Sequence, residues 1–303
     1  MTELARQIRD GSVRALARTA TGIENRDPQA LATLAELAPF AGHARIVGIT
    51  GAPGAGKSTL VDALAAALRR DGKTLAILAV DPTSGISGGA ILGDRIRMQQ
   101  HHADPGIFIR SMATRGSLGG LARATAGFAQ LMDAAGKDYV LIETVGVGQA
   151  EIAIASLAQV TVVVLVPGMG DDVQAIKAGI LEIADIFAIN KSDQPGADRV
   201  EQELQAMLSL ADGRKPAIVK TVATTGSGIA GLIAAIQNVQ SHTTPTVERS
   251  VTLRITNLKE AVASLQAAGA SIQPGPDGSV IVEPPPGVSL ELIEERKQPT
   301  AKS

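Results

Sequence analysis

The chain has 303 residues, of which 45% are hydrophobic and 2% aromatic, and its formal net charge at pH 7 is −2. This length predicts one large domain and a smaller one, with a core built mainly from aliphatic side chains. The small net charge argues against a general affinity for nucleic acid or anionic membranes. Because the chain contains no Cys, disulfides, thiolate metal sites and a cysteine nucleophile are excluded.

The first residues, MTELARQIRD, mix charges and lack an apolar core, so they do not form a signal peptide. The most apolar stretch, IAIASLAQVTVVVLVP (152–167), is broken by polar residues and rich in β-branched ones. It therefore predicts buried sheet and not a membrane helix. We expect a cytoplasmic protein with no membrane partner.

Residues 2–38 predict helices, because apolar side chains recur there at helical spacing. The positions are Val13, Ala15, Leu16 and Ala20, then Ala30, Leu31, Leu34 and Leu37. Pro39 and Gly42 close this region, and we assign residues 1–43 to an N-terminal helical extension.

After this extension, apolar β-branched runs alternate with helical stretches. The predicted strands are ARIVGIT (44–50), TLAILAV (74–80), DYVLIE (138–143), VTVVVLV (160–166), DIFAIN (185–190) and PAIVKTVA (216–223). Continuous apolar strands that alternate with helices indicate an α/β fold with a mainly parallel sheet flanked by helices on both faces. We assign residues 44–240 to this domain.

The composition of the sequence changes near residue 241, where the alternation of apolar strands and helices ends. SHTTPTVER (241–249) is polar and contains a Pro, which is typical of a linker. Residues 250–303 then predict a small β-α-β-β module: a strand at 251–255, a helix that carries Leu258, Ala261, Val262 and Leu265, and strands around 279–283 and 288–293.

The stretch GAPGAGKS (51–58) matches the P-loop pattern G-x-x-x-x-G-K-[ST], with a predicted strand before it and a predicted helix after it. Backbone N–H groups of such a loop surround phosphate, and the helix N-terminus adds a positive field. Lys57 is expected to reach the β- and γ-phosphates, and Ser58 to bind Mg²⁺. The predicted nucleotide-binding residues of this loop are Gly51, Ala52, Gly54, Ala55, Gly56, Lys57, Ser58 and Thr59.

A phosphate-bound Mg²⁺ needs further oxygen ligands. Asp81 follows the strand TLAILAV, and Glu143 ends the strand DYVLIE. In an open parallel sheet both strand ends meet at the crevice where ligands bind. Asp94, in GDRIRM, is a third candidate, so the predicted metal set is Ser58, Asp81, Asp94 and Glu143.

The stretch DIFAINKSD (185–193) contains N-K-x-D directly after an apolar strand. The carboxylate of Asp193 can accept hydrogen bonds from the N1–H and the 2-amino group of guanine, a donor pair that adenine lacks. Asn190 can bond the base N7 or the neighbouring loops, and the stem of Lys191 can lie over the base. Ala223 and Thr224, in TVATTGSG (221–228), are predicted to back the base through N–H groups. These residues favour GTP over ATP.

The quoted motifs resemble those of the MeaB-type GTPases, also called methylmalonyl-CoA mutase accessory proteins or arginine/ornithine transport kinases. The similar stretches are GITGAPGAGKSTLVDAL, AVDPTS, GGAILGDRIRM, FIRSMATRGSLGGLA, LIETVGVGQAE and VPGMGDDVQAIKAGILEIADIFAINKSD, and the N-terminal DGSVRALARTATGIENRDPQA looks like the helical leader of that family. The resemblance spans roughly residues 10–235 and implies a P-loop NTPase fold.

The resemblance also implies a function. Such G proteins couple GTP hydrolysis to the loading, protection or reactivation of the adenosylcobalamin cofactor of an acyl-CoA mutase, and the cobalamin belongs to the mutase. By position, Lys57, Glu143 and Lys177 are the implied catalytic residues; Lys177 lies in GMGDDVQAIKAG (168–179). Gln149 is the nearest candidate for positioning the attacking water, but nothing else assigns it that role, so we expect slow intrinsic hydrolysis that the mutase stimulates.

Three alternatives remain open at this stage. A P-loop kinase or ATPase of transport regulation is disfavoured by Asn190 and Asp193. A nickel-delivery GTPase is weakened by the absence of Cys and by a total of four His residues, His43, His101, His102 and His242. A non-catalytic scaffold is disfavoured by the intact pair Lys57 and Ser58.

The C-terminal module departs from the helical arm expected in MeaB-type proteins and resembles the second half of a glyoxalase-type (vicinal oxygen chelate) module. In that resemblance Glu291 matches a metal-binding Glu, but Ser250 stands where a His ligand is typical, so no metal site is expected. A lone module of this kind leaves sheet edges unpaired. We expect it to pair with a second copy in a homodimer or to dock on the mutase.

Overall fold

The computed structural model describes residues 1–81, 104–113, 118–144, 157–168, 183–210 and 215–240, and beyond residue 250 it describes four strands. The chain divides into two compact units, Met1–Ser241 and His242–Ser303. No helix of the described part is long and apolar enough to cross a bilayer. The finer division into extension, GTPase domain and linker stays a prediction.

The N-terminal region is helical, as predicted. It contains α1 (Glu3–Arg9), α2 (Val13–Glu24), α3 (Pro28–Leu37) and a short 3₁₀ turn (Ala38–Phe40). Each α-helix begins at a side chain that accepts a backbone N–H, which satisfies one of the free donors of a helix start; these caps are Thr2, Ser12 and Asp27.

A seven-stranded parallel sheet forms the centre of the first unit and confirms the predicted α/β fold. Its strands are β1 (Arg45–Gly51), β2 (Leu75–Asp81), β3 (Ile107–Ala113), β4 (Tyr139–Thr144), β5 (Val160–Leu165), β6 (Ile186–Ile189) and β7 (Ala217–Lys220). Their spatial order is β3-β2-β4-β1-β5-β6-β7. The P-loop strand β1 is therefore central, between β4 and β5, and all carboxyl ends lie along one edge.

Sequence analysis missed β3. Arg110 and Ser111 interrupt its apolar pattern, and β3 pairs only with β2 among the described strands. Arg110 forms an ion pair with Glu24 on α2, with 2.5 Å between Nη2 and Oε2. An edge strand whose charged residue pairs with a helix does not show the continuous apolar run of a central strand.

Helices cover both faces of this sheet: α4 (Lys57–Arg70), α5 (Leu118–Ala134), α6 (Ala197–Leu210) and α7 (Ile229–Asn238). Buried residues of α4 and α7 share one apolar cluster with β1, β4 and β5. On the other face, α1–α3 and α5 share a cluster with β2 and β4, and α6 packs on β5 and β6. The N-terminal helices thus share a core with the sheet.

The second unit contains a four-stranded sheet of β8 (Val251–Ile255), β9 (Ser271–Pro274), β10 (Val280–Glu283) and β11 (Leu290–Glu294), in the order β8-β11-β10-β9. β8 runs parallel to β11, whereas β10 is antiparallel to both β11 and β9. The three predicted strands are present, but the β-α-β-β description is corrected by the fourth strand, β9. Its short SIQP sequence runs into Gly275 and Pro276, which hid it. The predicted helix at 258–265 lies outside the described residues.

Candidate functional site

The loop between β1 and α4 has the backbone of a phosphate-binding loop. Gly51 ends β1 at φ 138°, and a Cβ there would lie 2.2 Å from the carbonyl oxygen of Val164 on β5. Gly56 adopts a left-handed conformation (φ 85°) and caps α4, and a Cβ there would lie 2.6 Å from Nδ2 of Asn190. Glycine at these two positions lets the loop lie against two neighbouring strands while the N–H groups of α4 remain at the helix start.

Lys57 begins α4 and is only 6% exposed. Its Nζ donates hydrogen bonds to the carbonyl oxygens of Gly51 (2.7 Å) and Ala52 (3.0 Å). These bonds compensate the burial of its charge. The ammonium group is therefore held within the loop, where a phosphate would be surrounded.

Ser58 and Glu143 meet at the next position of the loop. The Ser58 hydroxyl donates to Oε1 of Glu143 over 2.6 Å, and the Glu143 side chain is buried. β4 lies beside β1, with Glu143 in register with Ile49. Thr59, the next residue of the helix, is exposed.

Asp81 belongs to the same edge of the sheet. It ends β2, which lies beside β4, with Ala79 in register with Glu143. The backbone thus brings the predicted carboxylate positions Asp81 and Glu143 to neighbouring strand ends. Hydroxyl and carboxylate oxygens are the ligands that Mg²⁺ prefers, so the donor set of Ser58 and Glu143 fits that ion.

Asn190 follows β6 and joins three parts of the edge. Its Nδ2 donates to the carbonyl oxygen of Ala55 in the P-loop at 3.0 Å. Its Oδ1 accepts from the N–H of Ala223 at 3.1 Å and from the Thr221 hydroxyl at 3.3 Å. Of the two roles considered for Asn190, the structure shows the contact with the loops.

Lys191 and Asp193 continue from Asn190. Lys191 has a positive φ of 53°, which is unusual for a residue other than glycine. Its Nζ donates to the carbonyl oxygen of Gly54 at 3.1 Å. Asp193 is exposed. The N-K-x-D segment is thus hydrogen-bonded to the P-loop through Asn190 and Lys191, while Asp193 remains exposed to solvent.

The loop after β7 closes this side of the site. The N–H of Val222 donates to the carbonyl oxygen of Ser227 at 2.9 Å, which makes a tight turn with Ala223 buried and Thr224 exposed. Sequence analysis did not single out Thr221, which is fully buried and bonds Asn190. Its position directly after β7, the strand beside β6, was the signal that could have found it.

Three predicted residues lie outside the described part of the chain: Asp94, Lys177 and the water-positioning candidate Gln149. Their roles stay predictions. Across the described residues, no three His, Asp or Glu side chains gather into a group that could hold a metal ion.

Comparisons with known proteins agree with this geometry. A family model described as methylmalonyl Co-A mutase-associated GTPase MeaB matches residues 16–267. A Pyrococcus horikoshii protein, provisionally named a GTPase, is 52% identical over 233 residues, which cover 75% of this chain and 74% of the relative. GTPase ArgK of Escherichia coli is 42% identical over 197 residues, 64% of this chain and 60% of the relative.

A Mus musculus relative named methylmalonic aciduria type A homolog, mitochondrial, is 42% identical over 190 residues, which cover 60% of this chain and 46% of the mouse protein. Among solved structures, that of an LAO/AO transport system kinase is similar with a TM-score of 0.61 and 30% identity, over 78% of this chain and 74% of that one. None of these matches supports the glyoxalase-type resemblance of the C-terminal unit, which stays a prediction.

Proposed function

Because this chain belongs to the MeaB family of methylmalonyl-CoA mutase-associated GTPases, we propose that it hydrolyses GTP with Mg²⁺ to gate cobalamin loading, protection or reactivation of an acyl-CoA mutase. The observation that carries the nucleotide part is the position of Asn190. Its one side chain bonds both the P-loop at Ala55 and the loop after β7 at Ala223. Asn190 thereby holds the P-loop, which would bind phosphate, at a fixed distance from the loop after β7, which would contact the base.

The phosphates of GTP would be bound by the N–H groups of the P-loop and by Lys57. The ammonium group already lies inside the loop, bonded to the carbonyl oxygens of Gly51 and Ala52. If the ammonium group turned toward a β- or γ-phosphate, it would exchange neutral carbonyl acceptors for charged phosphate oxygens, which form stronger hydrogen bonds. Lys57 would then stabilise the charge that develops when water attacks the γ-phosphate.

Ser58 and Glu143 would hold Mg²⁺, with Asp81 and Asp94 as further candidates. The Ser58 hydroxyl donates a hydrogen bond to Glu143, which leaves the lone pairs of the hydroxyl oxygen for a cation. When bound, Mg²⁺ would neutralise charge on the phosphate oxygens. Glu143 would fix the orientation of the hydroxyl, and Lys177 would complete catalysis from the segment 168–179.

Guanine would be recognised by Asp193, whose exposed carboxylate follows the fastened pair Asn190 and Lys191. Ala223 and Thr224 would back the base. A charge-assisted hydrogen bond contributes about 1.5–3 kcal/mol, or roughly 10- to 150-fold in affinity. This preference separates the proposal from a kinase, as the similar solved structure is named, and from an ATPase.

Two names support an adenosylcobalamin-dependent acyl-CoA mutase as the client. The family is described as mutase-associated, and the mouse relative is named after methylmalonic aciduria. We also propose that the protein acts in the cytoplasm as a homodimer assembled through residues 250–303. The choice among methylmalonyl-, isobutyryl- and 2-hydroxyisobutyryl-CoA mutases would be made by pull-down from the native organism.

Nucleotide competition tests the first part. With Mg²⁺ present, GTP at 100 times its Kd should stabilise the fold by about 2.7 kcal/mol, or roughly 5–10 °C in melting temperature for a unit of this size. ATP at the same concentration should produce a clearly smaller shift, because its affinity is expected to be roughly 10- to 150-fold lower. Stabilisation by ATP alone would contradict GTP recognition and favour the kinase.

Stimulation by the client tests the second part. GTP turnover should be slow for the purified protein and should rise on addition of the mutase, because the mutase would order the catalytic segments by binding one conformation better. A Lys177→Ala variant should retain GTP affinity and lose the stimulated rate. Fast turnover that the mutase leaves unchanged would overturn the gating proposal.

A further inference from the structure

Four β-branched side chains form a buried row across the central sheet, near its carboxyl edge. Val80 of β2 is in register with Thr144 of β4, and Thr50 of β1 is in register with Val163 of β5. The Thr144 hydroxyl donates to the Thr50 hydroxyl over 3.1 Å, which joins the two halves of the row. All these residues are at most 2% exposed. The two inner positions differ from the two outer ones only in that a hydroxyl replaces a methyl group.

The stability of this row does not require the hydroxyl pair. A buried hydroxyl loses its hydrogen bonds to water, and a single hydrogen bond within the protein largely offsets that cost. Valine, which the sheet has at Val80 and Val163, would fill nearly the same space without the cost. Replacement of both partners of such a pair by apolar groups of the same shape can be nearly neutral. What the pair adds is a fixed distance between β1 and β4.

The two strands joined in this way carry two parts of the nucleotide site. Thr50 directly precedes Gly51, the first residue of the P-loop. Thr144 directly follows Glu143, whose side chain lies on the other face of β4 and accepts from the Ser58 hydroxyl. Side chains at the end of β4 are thus hydrogen-bonded on both faces of the sheet, to Ser58 on one face and to Thr50 on the other.

We propose that the hydroxyls of Thr50 and Thr144 are a positioning pair for the magnesium part of the site. The pair holds the end of β4 against the P-loop strand, so that Glu143 meets Ser58 at the separation in which the Ser58 oxygen can bind Mg²⁺. Both threonines act through Glu143 and not by contact with the nucleotide. This inference rests on the proposed function and adds two residues to it.

The test compares the Kd of a fluorescent GTP analogue with Mg²⁺ and with EDTA, on the full-length protein. Thr144→Val removes the donor with little change of shape. Loss of one hydrogen bond should reduce the gain in GTP affinity from Mg²⁺ roughly 2- to 13-fold, whereas the Kd with EDTA should not change. Thr144→Ser keeps the hydroxyl and should keep most of the gain. Thr161→Val, a matched change at a buried threonine of β5, should leave both Kd values unchanged.

The double variant Thr50→Val with Thr144→Val separates positioning from stability. Thr144→Val alone removes the hydrogen bond of the buried Thr50 hydroxyl and should lower the melting temperature. In the double variant neither hydroxyl remains, so the melting temperature should return close to that of the unmodified protein. The reduced gain from Mg²⁺ should persist, because the bond between the strands is still missing. If Thr144→Val does not fold, the double variant provides the same comparison of Kd values.

Four outcomes would overturn the positioning role: an unchanged gain from Mg²⁺, an equal loss of GTP affinity with Mg²⁺ and with EDTA, recovery of the gain together with stability in the double variant, or an equal effect of Thr161→Val. An unmodified protein that gained no GTP affinity from Mg²⁺ would instead overturn the proposed magnesium site, and this inference with it.

Discussion

The P-loop is hydrogen-bonded differently on its two sides: the base side, with Asn190 and Lys191, and the metal side, with Lys57, Ser58 and Glu143. On the base side, Asn190 and Lys191 donate hydrogen bonds to the carbonyl oxygens of Ala55 and Gly54. On the metal side, Lys57 bonds carbonyl oxygens of its own loop, and Ser58 bonds Glu143. The contacts on the base side use carbonyl oxygens of the loop, which a nucleotide does not need. Those on the metal side use the Lys57 ammonium group and the Ser58 hydroxyl, which would have to bind the nucleotide and its Mg²⁺.

This difference predicts which contacts survive GTP binding. Phosphate oxygens accept hydrogen bonds from N–H groups, so they do not compete for the carbonyl oxygens held by Asn190 and Lys191. They do compete for the ammonium group of Lys57. We therefore infer that the base side is a fixed support and that the metal side rearranges when nucleotide enters.

Lys57→Ala should show the largest effect, because it removes the charged donor of the rearranging side. The loss of two charge-assisted hydrogen bonds to phosphate, at about 1.5–3 kcal/mol each, should weaken GTP binding roughly 10²- to 10⁴-fold. The measurement is the Kd of a fluorescent GTP analogue, with Lys73→Ala, an exposed lysine, as the control. If binding survived within tenfold, Lys57 would not contact the phosphates.

Asn190→Ala should act on the fixed side and mainly on stability. It deletes three buried hydrogen bonds, to Ala55, Ala223 and Thr221, and at about 1 kcal/mol each the free energy of unfolding should fall by roughly 2–4 kcal/mol. Calorimetric melting without nucleotide measures this loss. The exposed Asn238→Ala variant should stay within about 0.5 kcal/mol. An unchanged melting temperature for Asn190→Ala would remove the distinction between the two sides.

Asp193→Asn should change selectivity with little effect on folding, because Asp193 is exposed. The amide has only one acceptor to offer the two guanine donors, so GTP affinity should fall roughly 10- to 150-fold, while ATP affinity stays the same. The ratio of the two Kd values is the measurement, and Asp198→Asn, on the nearby exposed helix start, is the control. An equal loss for GTP and ATP would show that Asp193 does not read the base.

The P-loop and the central strands were predictable because their signals are local. GAPGAGKS is one continuous motif, and β1, β4, β5 and β6 are runs of apolar residues buried from both faces. The position of Glu143 beside Ser58 was also accessible, since both follow from strand ends that meet at one edge of a parallel sheet.

The features that the sequence left open or missed depend on contacts between distant parts of the chain. Asn190 reaches Ala55 across 135 residues, and a motif does not say whether its amide bonds a base or a loop. Within the described strands, β3 and β9 lie at sheet edges, where Arg110 and Pro274 are tolerated because those strands pair on one side there. Their assignment required the neighbouring helix or strand, which the local pattern does not contain.

The smallest effect is expected at the amino end of β4, the strand that carries Glu143 near its other end. Burial alone would raise the pKa of Asp138, but hydrogen bonds from the Thr74 N–H and hydroxyl, together with the charge of Lys73, outweigh it and lower that pKa below its ordinary value. The folded state thus favours the ionised carboxylate. This contribution to stability is fully present above the unfolded value and is lost as pH falls through the lower folded value.

Asp138→Asn should therefore reduce the loss of unfolding free energy on acidification below about pH 4. The reduction should be less than about 1 kcal/mol because the side chain is 40% exposed. Thr74→Val keeps the N–H donor but removes the hydroxyl, so its effect should be intermediate. Neither variant should alter GTP affinity at pH 7, since both lie at the edge of the sheet opposite the P-loop. A change in GTP affinity would mean that β4 transmits changes along its length to Glu143, and the metal side would then rearrange with the whole strand and not only at the loop.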